Sequence, residues 1–151
     1  MLFRSNYYAQ NAAIADVEVN KKTGKITVKH VYQATSAGLA VGPDLVANQI
    51  VGGVTQILSR LLVEQYRYTK TNGTSTDFVS YPILRFRDHP AVTPIVVQRA
   101  SDQPRGVGGP VAMAAAAAVG NAFFDATGVR LHTAPFTPAR VRAALKAAGV
   151  A

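Results

Sequence analysis

A glycine-rich turn opens directly onto an alanine-rich run in QPRGVGGPVAMAAAAAVGNAFFDATG, Gln103 to Gly128. Pro110 suits the first position of a helix, where a missing N–H is no loss, and Gly128 suits the position just past the end. The stretch predicts a helix over Pro110–Ala126. Its alanines make a thin cylinder, so whatever packs on it must come close. The turn itself, Arg105 to Pro110, has neither the spacing of a Walker loop nor that of a dinucleotide fingerprint. It reads either as a tight connection or as free backbone N–H groups at a helix start that hold an anionic or polar ligand.

The rest of the chain supplies what this helix packs against. Ala13 to Val19 alternates, with Ala15, Val17 and Val19 on one face and Asp16 and Glu18 on the other, the period of a strand. NKKTGK, Asn20 to Lys25, is a turn in which Gly24 supplies positive φ. Ile26 to Gln33 returns as a second strand, predicted to carry Ile26, Val28, His30 and Tyr32 on one face, and the pair forms a hairpin. GPDLVANQIVGGVTQILSRLLVEQ, Gly42 to Gln65, has Pro43 and Asp44 at its start and Ile50, Val54, Ile57, Leu58, Leu61 and Leu62 at three-and-four spacing, an amphipathic helix. A second stripe on that helix, Gln49, Gly52/Gly53, Gln56 and Arg60, is polar or small. It reads as buried, satisfied amides between layers or as a surface that recognises alternating donors and acceptors, such as a pterin or nucleobase edge. FVSYPILRF, Phe78 to Phe86, reads as extended; Val92 to Gln98 is a further short strand. Thr137-Pro138 caps a short helix, Ala139 to Ala148. The elements do not alternate as βαβ repeats, so the expected class is α+β: a β-hairpin and short strands packed with one long amphipathic helix, an Ala-rich helix and a short C-terminal helix, in one domain.

Composition narrows the chemistry. The chain has 151 residues, 48% hydrophobic and 16% charged, the values of a globular domain. It has no cysteine, which excludes disulfides, thiolate metal ligands and a cysteine nucleophile. The net charge is +8, from scattered lysines and arginines. This reads as a solvated basic surface or as a site for an anionic partner such as a phosphate or an acidic subunit. Nucleic acid is not expected, because no stretch interleaves aromatic with basic residues on a recognisable strand. No run is long and apolar enough for a membrane span. His30, His89 and His132 lack metal-ligand spacing, so no metal-ligating residue is expected. The glutamates are Glu18, on the polar face of a strand, and Glu64, near a helix end and expected to face water or pair with an arginine. No carboxylate pair and no serine-elbow motif suggests a complete catalytic apparatus. The opening MLFRS lacks the n-region and h-region of a secretory signal. Residues 1–5 read as a non-native leader, encoded by the end of a sequencing adapter, before a native segment 6–151.

Three stretches in order, GPDLVANQIVGGVTQILSRLLVEQ, TSTDFVSYPILRFRDHPAV and QPRGVGGPVAMAAAAAVGNAFFDATGVRLHTAPFTPARVRAAL, resemble one family. They are similar to the C-terminal part of the molybdopterin-binding large subunit of the xanthine dehydrogenase/aldehyde oxidase family, in its isoquinoline 1-oxidoreductase and bacterial aldehyde dehydrogenase branch. The resemblance implies a fragment of a molybdenum hydroxylase large subunit. Its cofactor would be molybdenum on molybdopterin, often as the cytosine dinucleotide, and its reaction the hydroxylation of an aldehyde or N-heterocycle with oxygen from water. It implies as partners the missing N-terminal half of the subunit, a 2Fe–2S subunit and a cytochrome c, and as compartment the bacterial cytoplasm or periplasm. Gln49 would hydrogen-bond the pterin, Gly52 and Gly53 would let the helix lie close to it, and Gly106 and Gly108 would form the pocket floor. The family turn reads Gly-Val-Gly-Glu-Pro, and its glutamate is the catalytic base. Here Gly109 holds that position, and Gly42 replaces an asparagine of the family pattern. The expected consequence is a chain inactive alone. The alternative is a non-catalytic relative with a cofactor-binding or subunit-assembly role.

Overall fold

Residues 9–150 are described by the computed structural model. The expected leader at residues 1–5 lies outside them. Two long strands, β1 (Gln10–Asn20) and β2 (Lys25–Ser36), form an antiparallel hairpin. The turn between them closes with the Gly24 N–H donating to the Asn20 carbonyl at 2.7 Å. Gly24 takes φ +78°, and a Cβ there would meet the carbonyl oxygen of Pro138. Both the conformation and the close approach require glycine.

The hairpin contains a β-bulge that changes which side chains face inward. Asp16 pairs with His30 but Val17 pairs with Val28, leaving Lys29 as the extra residue on β2. A one-residue insertion moves every later side chain to the opposite face. Ile26 and Val28 point to the core before the bulge; Val31, Gln33 and Thr35 do so after it. The expected common face of Ile26, Val28, His30 and Tyr32 is therefore corrected. Tyr32 is exposed and stacks on His30, with ring centroids 4.0 Å apart. Lys29 points into solvent and pairs with Glu18 at 2.8 Å.

α1 (Pro43–Leu62) follows and buries Val46, Ile50, Val54, Leu58 and Leu61. It ends three residues before the expected Gln65. The chain then reaches β3 (Ala91–Val97), which pairs with β2 in parallel, giving the sheet order β1-β2-β3. β2, α1 and β3 thus form a crossover unit inside an α+β fold. Pro94 is tolerated because β3 is an edge strand. Phe78–Phe86, expected to be extended, opens instead on a turn at Phe78–Ser80 and pairs with no strand. Asp77 caps a tight turn, accepting from the N–H groups of Val79 and Ser80, and residues Phe86–Asp88 form one 3₁₀ turn. Glu64 accepts a hydrogen bond from the Tyr81 hydroxyl at 2.7 Å, a partner other than the expected water or arginine.

α2 (Pro110–Thr127) and α3 (Pro138–Ala147) complete the chain. α2 lies across β1 and β2 on the inner sheet face and packs beside α1. Val111, Ala115, Val119 and Phe123 of α2 share one core with Val31, Ile50, Val54 and Leu58. A polar ladder crosses this core. The Thr35 hydroxyl donates to Asn11 Oδ1 at 2.6 Å, and Gln33 Nε2 donates to the Val111 carbonyl at 2.7 Å. Gln33 thereby ties β2 to the first turn of α2. α3 starts with the Thr137 hydroxyl accepting from the Arg140 N–H, and buries Val141 and Leu145.

Candidate functional site

A seam of backbone hydrogen bonds sets the turn that begins α2 beside the middle of α1. After β3 the chain runs back along the segment that joins β2 to α1. The Arg99 N–H donates to the Gly38 carbonyl, Leu39 N–H to Asp102 and Arg105 N–H to Ala37, at 3.1, 3.1 and 2.8 Å. Gln98 adds a side-chain clamp, its amide bonded both ways to the backbone of Ala40. Gly38 has φ +72°, and a Cβ there would meet the Gln103 carbonyl. The residue is bare because two backbones touch at it. This seam delivers the turn Arg105–Gly109 to the side of α1.

At that place the side-chain amide of Gln49 lies over Gly108. A Cβ built on Gly108 would sit 3.4 Å from Gln49 Oε1, ordinary contact. Gln49 is otherwise exposed, as are Gly52, Gln56 and Arg60 further along the same face. The polar stripe therefore faces outward, and the alternative of amides buried between layers does not describe it. The two adjacent glycines of α1 differ. Among the described residues, and apart from its own helix backbone, Gly52 has nothing within 4 Å of where a Cβ would be. A Cβ on Gly53 would collide with Cγ2 of Val111, a fully buried residue in the first turn of α2. Gly53 lets the helices approach, and Gly52 presents bare backbone outward.

The turn is equally open. At Gly106 and at Gly109, no atom of the described residues other than their chain neighbours lies within 4 Å of the position a Cβ would take. Gly109, the residue before α2, has φ −81° and ψ −48°, a conformation open to any residue. No side chain caps α2. Among the described residues, the N–H groups of Gly108 and Gly109 have no protein acceptor. The positive end of the α2 dipole adds to them. The arrangement can hold a polar or anionic ligand through an amide and backbone donors. Among the described residues, the turn Arg105–Gly109 carries no carboxylate or imidazole. Asp102 is engaged by Arg99 at 3.2 Å. Asp125 is exposed on α2, about 24 Å along the axis from Gly109 at 1.5 Å per residue.

The histidines lie elsewhere. His30 Nε2 is 2.8 Å from the Thr93 hydroxyl, His89 Nε2 is 2.6 Å from the Thr55 hydroxyl, and His132 is exposed. No group of three or more potential ligands that could hold a metal occurs among the described residues. Nor is any helix there long and apolar enough to cross a membrane. Sequence reasoning misses the Gly53–Val111 and Gln33–Val111 contacts. A glycine beside a glycine on an otherwise regular helix is their only trace in the sequence.

Comparison with known proteins agrees with this architecture. A family model described as "Molybdopterin cofactor-binding domain" matches residues 3–90. The chain is 41% identical over 138 residues to a subunit of nicotinate dehydrogenase from Pseudomonas putida, covering 91% of this chain and 12% of that protein. It is 31% identical over 132 residues to the beta subunit of isoquinoline 1-oxidoreductase from Brevundimonas diminuta, covering 87% and 17%. The structure of the aldehyde oxidoreductase from Desulfovibrio gigas superposes with a TM-score of 0.80 at 26% identity, over 91% of this chain and 15% of that one. The chain thus spans less than a fifth of the length of each of these relatives. With a matching domain model, matching subunits and a matching fold, the chain belongs to the molybdopterin cofactor-binding domain family of the molybdenum hydroxylases.

Proposed function

We propose that this chain forms one wall of the molybdopterin pocket in a molybdenum hydroxylase large subunit that acts on an aldehyde or an N-heterocycle. The observation that carries the proposal is the Gln49 amide lying over Gly108, where the start of α2 meets the middle of α1 and, among the described residues, no side chain covers the backbone of Gly52, Gly106 or Gly109. This surface fits the cofactor's chemistry. A pterin edge alternates donors and acceptors, which a carboxamide matches with one of each. Backbone N–H groups at a helix start suit anionic or polar oxygens. Bare backbone leaves room for a flat ring.

When bound, the cofactor supplies the two-electron redox chemistry of molybdenum. The chain's own residues bind and orient it. Gln49 would hold the pterin edge, Gly106 and Gly108 would line the floor, and Gly52 would leave space beside it. Gly53 acts indirectly, by setting how closely α1 lies on α2. What this wall lacks is a base, because a hydrogen stands at position 109 where the resemblance implies a glutamate. General base catalysis is worth about 10²–10⁴-fold. The subunit is therefore expected to turn over slowly even when fully loaded. A non-catalytic cofactor-binding or assembly role is the second reading, favoured by that same glycine. A 2Fe–2S subunit and a cytochrome c would complete the electron path. The names of the relatives, which are subunits of dehydrogenases and oxidoreductases, support multi-subunit assembly.

Two substitutions test this in the full-length subunit that carries the domain. Gln49→Leu combined with Gly108→Val is expected to lower the molybdenum content by mass spectrometry, with the far-ultraviolet dichroism unchanged. Undiminished molybdenum would overturn the pocket assignment. Gly109→Glu meets open space and an ordinary backbone conformation, so it leaves the fold intact. It is expected to raise turnover by about 10²–10⁴-fold. No gain in a fully loaded subunit would decide for the non-catalytic reading.

A further inference from the structure

At the C-terminal end of α1 lies a second, unrelated surface. A cavity of about 450 Å³ opens between the start of β2, the end of α1, residues 82–88 and the start of α3. Its floor is apolar, made by Ile26, Val28, Leu62, Leu84 and Phe136. Its rim is cationic. Lys25, Arg85 and Arg87 line it, with Asp88 as the lining carboxylate. Asp88 is shared between Lys25 at 3.6 Å and Arg87 at 3.5 Å, so its charge is already matched. The close contact of Gly24 with Pro138 and Arg142 brings the exposed Lys21, Lys22 and Arg142 to the same corner. Beside the cavity, between the two rim arginines, Phe86 projects with 98% of its surface exposed.

We infer that this corner is a docking site for an acidic, amphipathic segment of a separate partner protein. The partner's apolar side chain would enter the cavity and its carboxylates would meet the cationic rim. Three features select that occupant. The excess of positive charge calls for an acidic ligand and opposes self-association of a chain with net charge +8. The aliphatic floor calls for an apolar side chain, which a phosphate backbone does not offer. An exposed aromatic flanked by arginines has the composition of an interface hot spot. Surfaces that pack permanently within a subunit are poorer in charge and more apolar. The outer sheet face, with Ile14, Tyr32, Ile95 and Val97 exposed, has that character, and this corner does not.

The test uses the full 151-residue chain and a fluorescent peptide, about twelve residues of alternating glutamate and leucine. Binding is read by anisotropy at about 50 and 300 mM salt. The peptide is expected to bind at low salt and to weaken at high salt, as the Debye length shrinks below about 10 Å. Arg85→Glu/Arg87→Glu and, separately, Phe86→Ser should each weaken binding by about tenfold or more. These side chains are largely exposed, so the fold is retained, as dichroism would verify. Lys70→Glu/Arg130→Glu makes the same change in net charge outside the cavity lining and should alter binding less than about threefold. Absence of binding, equal weakening by both charge reversals, or equal binding of a glutamate–serine peptide would overturn the inference. Displacement of the peptide by stoichiometric oligothymidylate would also overturn it, in favour of a nucleic-acid surface.

Discussion

The middle of α1 and its C-terminal end are built on opposite principles. At Gln49–Gly53 the helix has a neutral amide, bare backbone and a neighbouring turn made of glycines. At Leu62 it is wrapped by side chains from other segments, with arginines and lysines around an apolar hollow. The first region leaves the backbone open to a flat, polar ligand at Gly52, beside the projecting Gln49 amide. The second can attract charge from a distance and grip an apolar group, but it offers no bare backbone. One helix therefore presents two surfaces suited to different chemistry, and the difference lies in where side chains are absent.

Substitutions along α1 sharpen this contrast. The largest effect is expected for Leu58→Ala, which empties a fully buried site in the core shared by both regions. It should cost about 2–5 kcal/mol in urea unfolding. Gly53→Ala comes next. Its methyl group overlaps Val111, so about 1–3 kcal/mol of destabilisation is expected, with the α1–α2 spacing widened. Ser59→Ala probes the C-terminal end. The Ser59 hydroxyl accepts from the Leu84 N–H at 2.9 Å, and its loss should cost about 1 kcal/mol and speed proteolysis within residues 63–90. Gly52→Ala has the opposite sign. With open space around it, alanine should stabilise by roughly 0.5–1 kcal/mol through helix propensity alone. If Gly52→Ala and Gly53→Ala behaved alike, the distinction between an outward and a packed glycine would fail.

The smallest effect concerns Tyr81 and Glu64. Their hydrogen bond, assisted by desolvation and the nearby carboxylate charge, raises the Tyr81 pKa above its usual value. A raised folded pKa means that the contribution is complete below the ordinary phenol range. It is lost as pH rises through the Tyr81 value, above about 10. Glu64→Gln should lower the tyrosinate titration midpoint measured by ultraviolet absorbance. An unchanged midpoint would remove this contact from the α1 end.

Much of the fold was legible because its signals are local. Pro43, Pro110 and Pro138 mark helix starts, and Gly128 closes α2 with its N–H on the Phe124 carbonyl at 2.7 Å. The hairpin was legible from alternation and from Gly24. The inward face of β2 beyond Lys29 was not, because a bulge is set by pairing with β1 and leaves alternation intact on either side. Phe78–Phe86 has the composition of a strand but finds no strand partner; the Asp77 turn and the Ser59–Leu84 bond claim its backbone instead. The candidate site was legible as a set of residues, through a family resemblance, but not as a place.

By itself the chain determined its helices, its hairpin, its excess of positive charge and the absence of a carboxylate at Gly109. Each depends on neighbours within a turn or two, or on composition. Tertiary structure alone decided that Gln49 lies over Gly108, that Gly53 rather than Gly52 belongs to Val111, and that β3 runs parallel to β2. These are contacts between residues far apart in sequence. They form only when burial of the common core and satisfaction of its backbone hydrogen bonds select one packing among many.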